Sequence, residues 1–167
     1  MKHRKFEKAL QFGALPWRIG PGGTREVMLL TSRETHRWII PKGWPMKGHK
    51  PRELARREAY EEAGLIGQIS SKRPLGSYHY EKRLAKKANL CEVRVYLLRV
   101  ERQLDEWPEM RERQTRWFDG VEAAVLVEEG ALAEIIKRFA GSRVRFVAYP
   151  TRRGPDMLPT GLRDWPG

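Results

Sequence analysis

The 167 residues predict one α/β domain, a mixed sheet with a helix on each side. Three observations carry that expectation. Apolar, β-rich runs recur between Gly and Pro breakers in both halves of the first hundred residues. One long segment, 52–63, contains no breaker and is bracketed by Pro51 and Gly64, which suit the start and the end of a helix. Two further helical segments, 121–127 and 131–139, follow the last β-like run and are separated at Gly130.

In chain order, residues 12–19 form a β-like run stopped by Gly20-Pro21-Gly22-Gly23, a strong turn. Residues 26–31 read as a buried strand. Residues 38–40 form a short strand ended by Pro41, whose ring removes a ladder donor. Residues 42–50 hold two Gly and a Pro and read as a loop into the helix. Strands are expected at 75–81, 93–100 and 115–118. The segment 141–167 carries four Pro and four Gly and is expected to wrap the surface or trail as a basic tail, leaving 1–140 as the domain.

Composition narrows the classes. Sixteen aromatic residues (six Trp, five Tyr, five Phe) are too many for a disordered polyelectrolyte. No stretch approaches the roughly 20 apolar residues of a membrane span, and the basic start has no apolar block behind it. A lone cysteine, Cys91, cannot staple the chain, which suits a reducing cytoplasm. Lys plus Arg number 33 against 21 Asp plus Glu, a net charge of +12. The excess is spread over 33–57 and 72–102, and no zinc-finger spacing or RNP-type motif accompanies it. It reads either as solvated surface or as a field steering phosphate-bearing anions to a cleft.

The chemistry-bearing feature lies on the central helix. Glu58, Glu61 and Glu62 stand at i, i+3 and i+4, so three carboxylates share about a third of the helix circumference. Like charges at that spacing repel by a few tenths of a kcal/mol per exposed pair. Solvent and Arg57, one turn from Glu61, offset this in a purely structural reading. The Gly-containing loop 41–48 ahead of the helix suggests the other one, in which hard oxygen ligands take Mg²⁺ or Mn²⁺ bridged to substrate phosphates. Lys42, Lys47 and Lys50, with Arg37 upstream, are the candidate phosphate contacts. Trp38 and Trp44 are candidates for stacking a base, against core or rim packing. His36, His49 and His79 are too dispersed for a zinc site.

Gly43, position 49 and Arg57-Glu58-Ala59-Tyr60-Glu61-Glu62-Ala63-Gly64-Leu65 resemble the Nudix box, G-x5-E-x7-R-E-U-x-E-E-x-G-U. The flanking strands and Trp117-Phe118 ahead of a helix also look Nudix-like. The resemblance implies an α/β/α sandwich with a mixed central sheet. It implies that Glu58, Glu61 and Glu62 hold one or more Mg²⁺ ions, aided by the Gly43 carbonyl, with Arg57 orienting the cluster. It implies cleavage of a pyrophosphate bond. Glu58 is the first choice of general base, with Glu109 or Glu112 as alternatives on a loop that otherwise reads as a solvated connector. Two positions depart from the box. His49 replaces its first Glu, so Arg57 needs another partner, for which Glu53 is one candidate; and Ala59 is small for an aliphatic site.

Within the family, Trp38-Ile39-Ile40-Pro41-Lys42-Gly43 and the helix end look most like the diphosphoinositol polyphosphate and diadenosine polyphosphate phosphohydrolases. The implied partner is a small, highly phosphorylated molecule. A nucleoside triphosphate or RNA 5′-end pyrophosphohydrolase is an alternative, as is a non-catalytic domain binding polyphosphate or RNA.

Overall fold

The computed structural model describes residues 9–84 and 87–141. The expected tail therefore lies outside the described residues. Among the described residues eleven elements run in the order β1 (Ala9–Ile19), β2 (Arg25–Thr31), β3 (Trp38–Ile39), β4 (Lys42–Gly43), α1 (Pro51–Ala63), β5 (Leu65–Gln68), β6 (Gly76–Leu84), β7 (Lys87–Gln103), β8 (Thr115–Asp119), α2 (Gly120–Leu126) and α3 (Gly130–Gly141).

Two long strands organise the sheet. β1 and β7 pair in parallel from Ala9↔Cys91 to Trp17↔Arg99, and every other pairing is antiparallel, so the sheet is mixed as expected. On its far edge β7 pairs first with β6 and then with β5, while β2 carries β3 and β8. Alternation assigns the two faces. Phe12, Ala14, Met28, Leu30, Tyr96 and Leu98 pack against α1. Leu15, Trp17, Val27, Leu29, Val93 and Val95 pack against α2 and α3. The result is a helix–sheet–helices sandwich.

The small residue at position 59 has a packing reason. Ala55, Ala59 and Ala63 are fully buried and recur every four residues, so α1 presents an alanine ridge to the sheet. The other side of the helix is left for Arg57, Glu58 and Glu61. At its end Gly64 adopts the left-handed conformation (φ 66°) that a helix C-cap favours, and its N–H returns to the Tyr60 carbonyl at 2.9 Å. Asp119 caps α2 by accepting from the Val121 N–H at 3.0 Å.

Two strands were not legible locally. β4 lies inside the expected loop because Gly13↔Lys42 and Phe12↔Gly43 pair across thirty residues. β5 is four residues long with an internal glycine, and only the far end of β7 gives it a partner. β7 also outruns its apolar centre, 93–100, by pairing polar positions with β5 and β6.

Candidate active site

The junction of β4 and α1 gathers the acidic residues. Gly43 lies beside the Glu58 carboxylate so closely that a Cβ at position 43 would overlap that group. Only a glycine lets Glu58 rest on the β4 backbone. Glu62 is buried, at 6% exposure; it accepts from the Lys42 backbone N–H at 3.4 Å and from Arg113 Nη2 at 3.2 Å. Glu61 is more open and pairs with Arg57 Nε at 2.5 Å. Glu53 accepts from the Lys50 N–H at 3.2 Å, which caps the helix start. Arg57 also directs Nη1 to the Met46 sulfur at 3.2 Å.

The segment 104–114 is not the solvated connector its composition suggests. Its backbone docks on the end of α1: Leu104 N–H donates to the Gly64 carbonyl at 2.8 Å and Glu109 N–H to the Glu61 carbonyl at 3.0 Å. The Trp107 ring lies over Gly64, where a side chain would collide with it. These contacts satisfy helix-end carbonyls that have no partner within the helix. They also deliver Arg113, which sequence reasoning missed. Its buried guanidinium contacts Glu62, Glu109 (3.3 Å) and the Thr31 carbonyl (3.2 Å). One arginine among several in a polar stretch carries no sequence signal of burial; the docked loop creates it.

Electrostatics follow from crowding. Burial, then Glu61 and Glu109, push the Glu58 carboxyl up to about 7. Burial raises Glu62 too, although Arg113 opposes it. Glu109 is held above the usual carboxylate range by burial, against the pull of Arg113 and Arg33. Burial lowers Lys42 to about 8 despite Glu62 and Glu129, and its ammonium lies 4.9 Å from the Tyr80 ring centroid. Lys47 and Lys50 are exposed on the loop. Arg37 is directed away, pairing with Glu128 at 2.9 Å and Glu129 at 3.0 Å at the α2–α3 junction. Glu112 is half-exposed and lies 3.6 Å from Arg33.

Among the described residues no three His, Cys, Asp or Glu side chains converge as a ready metal-holding set. Glu61 and Glu62 are each turned to an arginine. The site nonetheless fits a hard divalent cation. Its donors are carboxylate oxygens beside a glycine backbone, and the space a Cβ would fill at Gly43 holds the Glu58 carboxylate. Gly43→Ala tests that packing. The added methyl meets the end of a flexible side chain, so the melting temperature should change little. Displacing Glu58 should lower kcat/KM about 30-fold, roughly 2 kcal/mol. A wild-type kcat/KM would refute the role given to the glycine.

Comparison with known proteins places the chain in a family. A family model described as "NUDIX domain" matches residues 14–139. The chain is 30% identical over 118 residues to "Nudix hydrolase 12, mitochondrial" of Arabidopsis thaliana, covering 68% of this chain and 58% of that protein. It is 34% identical over 105 residues to "Diphosphoinositol polyphosphate phosphohydrolase 2" of Rattus norvegicus, covering 61% and 54%. The chain thus spans under two thirds of the length of these relatives. Its fold is that of the C. elegans Ap4A hydrolase in a binary complex, with a TM-score of 0.58 at 20% identity over 78% of this chain and 94% of that one. No helix among the described residues is long and apolar enough to cross a membrane. With the box residues on one helix end, against the glycine of a facing strand, in a matching fold, the chain belongs to the NUDIX family.

Proposed function

We propose that the protein is a pyrophosphohydrolase that cleaves a phosphoanhydride bond in a highly phosphorylated small molecule, of the diadenosine or diphosphoinositol polyphosphate type. The observation that carries the reading is the pair Glu58–Gly43: a carboxylate pressed onto a strand backbone that only glycine permits, beside two more acids. Nudix hydrolases generally need a divalent metal. Here Glu58, Glu61, Glu62 and the Gly43 carbonyl would hold Mg²⁺, or Mn²⁺, with Glu61 and Glu62 loosening their arginines to do so. When bound, the cation would neutralise charge on the transferred group and acidify a water.

The protein's own residues do the rest. Glu58 is the first choice of base; its carboxyl is raised to about 7 in the cation-free protein, and a bound cation would hold it ionised and able to accept a proton. Glu109, tied to the site by Arg113, is the alternative base; Glu112 is the more solvated candidate. Arg57 orients Glu61. Lys47 and Lys50 present their charge beside the site to substrate phosphates, and half-buried Lys42 adds a positive charge near Glu62. Arg37 contributes only to the surrounding field, because Glu128 and Glu129 hold it. The names of the rat phosphohydrolase and the worm hydrolase support the substrate class, as does the +12 charge. The buried single cysteine fits a cytoplasmic protein.

The deciding experiment is a substrate panel of diadenosine polyphosphates, diphosphoinositol polyphosphates, nucleoside triphosphates and 5′-triphosphate RNA at fixed Mg²⁺, with Glu62→Gln as control. Turnover of the first two classes, abolished in the variant, supports the reading. Preference for the triphosphates redirects it, and binding without turnover across the panel replaces it with a non-catalytic module.

A further inference from the structure

The wall beside Gly43 is built from two aromatic–cation pairs in register. Lys42 Nζ lies 4.9 Å from the Tyr80 ring centroid, and Lys82 Nζ lies 4.7 Å from that of Trp44. The contacts form adjacent rungs, 42 with 80 and 44 with 82, in step because the two segments run the same way: β4 is antiparallel to β1, β1 parallel to β7, and β6 antiparallel to β7. The inner rung is the more covered one: Lys42 and Tyr80 are both half-buried, and Tyr80 donates its hydroxyl to Gln11 at 2.6 Å. The outer rung is open, with Trp44 43% exposed and Met46, also 43% exposed, two residues on. The Met46 sulfur meets Arg57, so this apolar strip joins the helix face that carries Glu58 and Glu61.

The two tryptophans weighed from sequence thus part company. Trp38 packs edge-on against Phe118 at 4.9 Å, on the core under α2 and α3. Trp44 offers an indole to solvent one residue from Gly43, with a cation fixed on it. An aromatic face paired with a positive charge suits a planar, electron-rich ring carrying phosphates.

We propose that Trp44, backed by Lys82, is a specificity-determining residue that stacks a nucleobase of the substrate while the diphosphate lies at the Glu58–Glu62 site. The inference rests on the pyrophosphohydrolase reading and narrows it to nucleoside-bearing polyphosphates. An inositol ring is saturated and has no π face, so it gains less from the indole than a nucleobase does.

The test uses the full chain, with Trp44→Ala and Trp44→Phe. Trp44 is exposed, so both variants should melt as the wild type does. For a diadenosine polyphosphate, Trp44→Ala should raise KM about tenfold with kcat within about twofold, and Trp44→Phe should restore most of the loss. KM for a diphosphoinositol polyphosphate should stay within about twofold in both variants. Equal change for the two substrates, or for neither, overturns the proposal. A second measurement needs no turnover: AMP should quench tryptophan fluorescence in the wild type, and that quenching should vanish in Trp44→Phe. Should the wild type hydrolyse none of these compounds, the functional reading fails while the quenching difference still decides the role of Trp44; equal quenching in both proteins overturns it.

Discussion

Glu58→Gln should lower turnover about 10³-fold, roughly 4 kcal/mol of barrier, while raising the melting temperature of the cation-free protein at pH 8 by about 3 °C. The opposite signs have one cause. Burial and the neighbouring Glu61 and Glu109 push the Glu58 carboxyl from 4.5 to about 7. The folded state therefore binds a proton that the unfolded state has lost between those values, and stability falls as pH rises through that window. A glutamine carries no charge, so it removes the penalty along with the cation ligand and candidate base. Such a trade between stability and activity is common where a site concentrates like charge. Thermal denaturation of both proteins between pH 5 and pH 8 checks this. The gap between them should open with rising pH and narrow on adding Mg²⁺. A gap that is flat across the range, or that Mg²⁺ leaves alone, contradicts the account.

Arg113→Met should destabilise the fold by about 3 kcal/mol, lowering the melting temperature by roughly 10 °C. The guanidinium and the Glu62 side chain are 6% and 8% exposed, so solvent cannot replace the lost partner. Its removal strips the cation from Glu62 and Glu109 and a donor from the Thr31 carbonyl. Arg113 Nε itself has no hydrogen-bond partner, so the pairing is incomplete and the net stabilisation stays at the lower end for a buried pair. Arg113→Lys should recover part of the loss, because an ammonium keeps the charge but not the three-way reach. In the Glu62→Gln background the same substitution should cost less than it does alone. A loss under about 1 kcal/mol would mean that loop 104–114 is held by its backbone contacts and Trp107 instead.

The helix α1 was legible from end to end because its signals are local. Pro51 and Gly64 mark its ends, and Glu58, Glu61 and Glu62 share one side by periodicity alone, whereas the alanine ridge facing the sheet was found only in the structure. The strands β1, β2 and β8 were found for the same reason, through runs of apolar residues between turns. The reading failed where pairing is long-range. Nothing in Lys42-Gly43 announces a strand until Phe12 and Gly13 lie beside it, and nothing in Leu65–Gln68 does until β7 arrives.

What the sequence determined by itself is the set of groups and their spacing on one helix, since a period of 3.6 residues follows from the backbone alone. What only the tertiary structure decided is which charges meet. Arg113 reaches Glu62 across 51 positions, Arg37 turns to Glu128 and Glu129 instead of the site, and Trp44 opens outward while Trp38 closes on Phe118. Burial and proximity between distant segments set those outcomes. Both are properties of the packed chain, and no local stretch of it carries them.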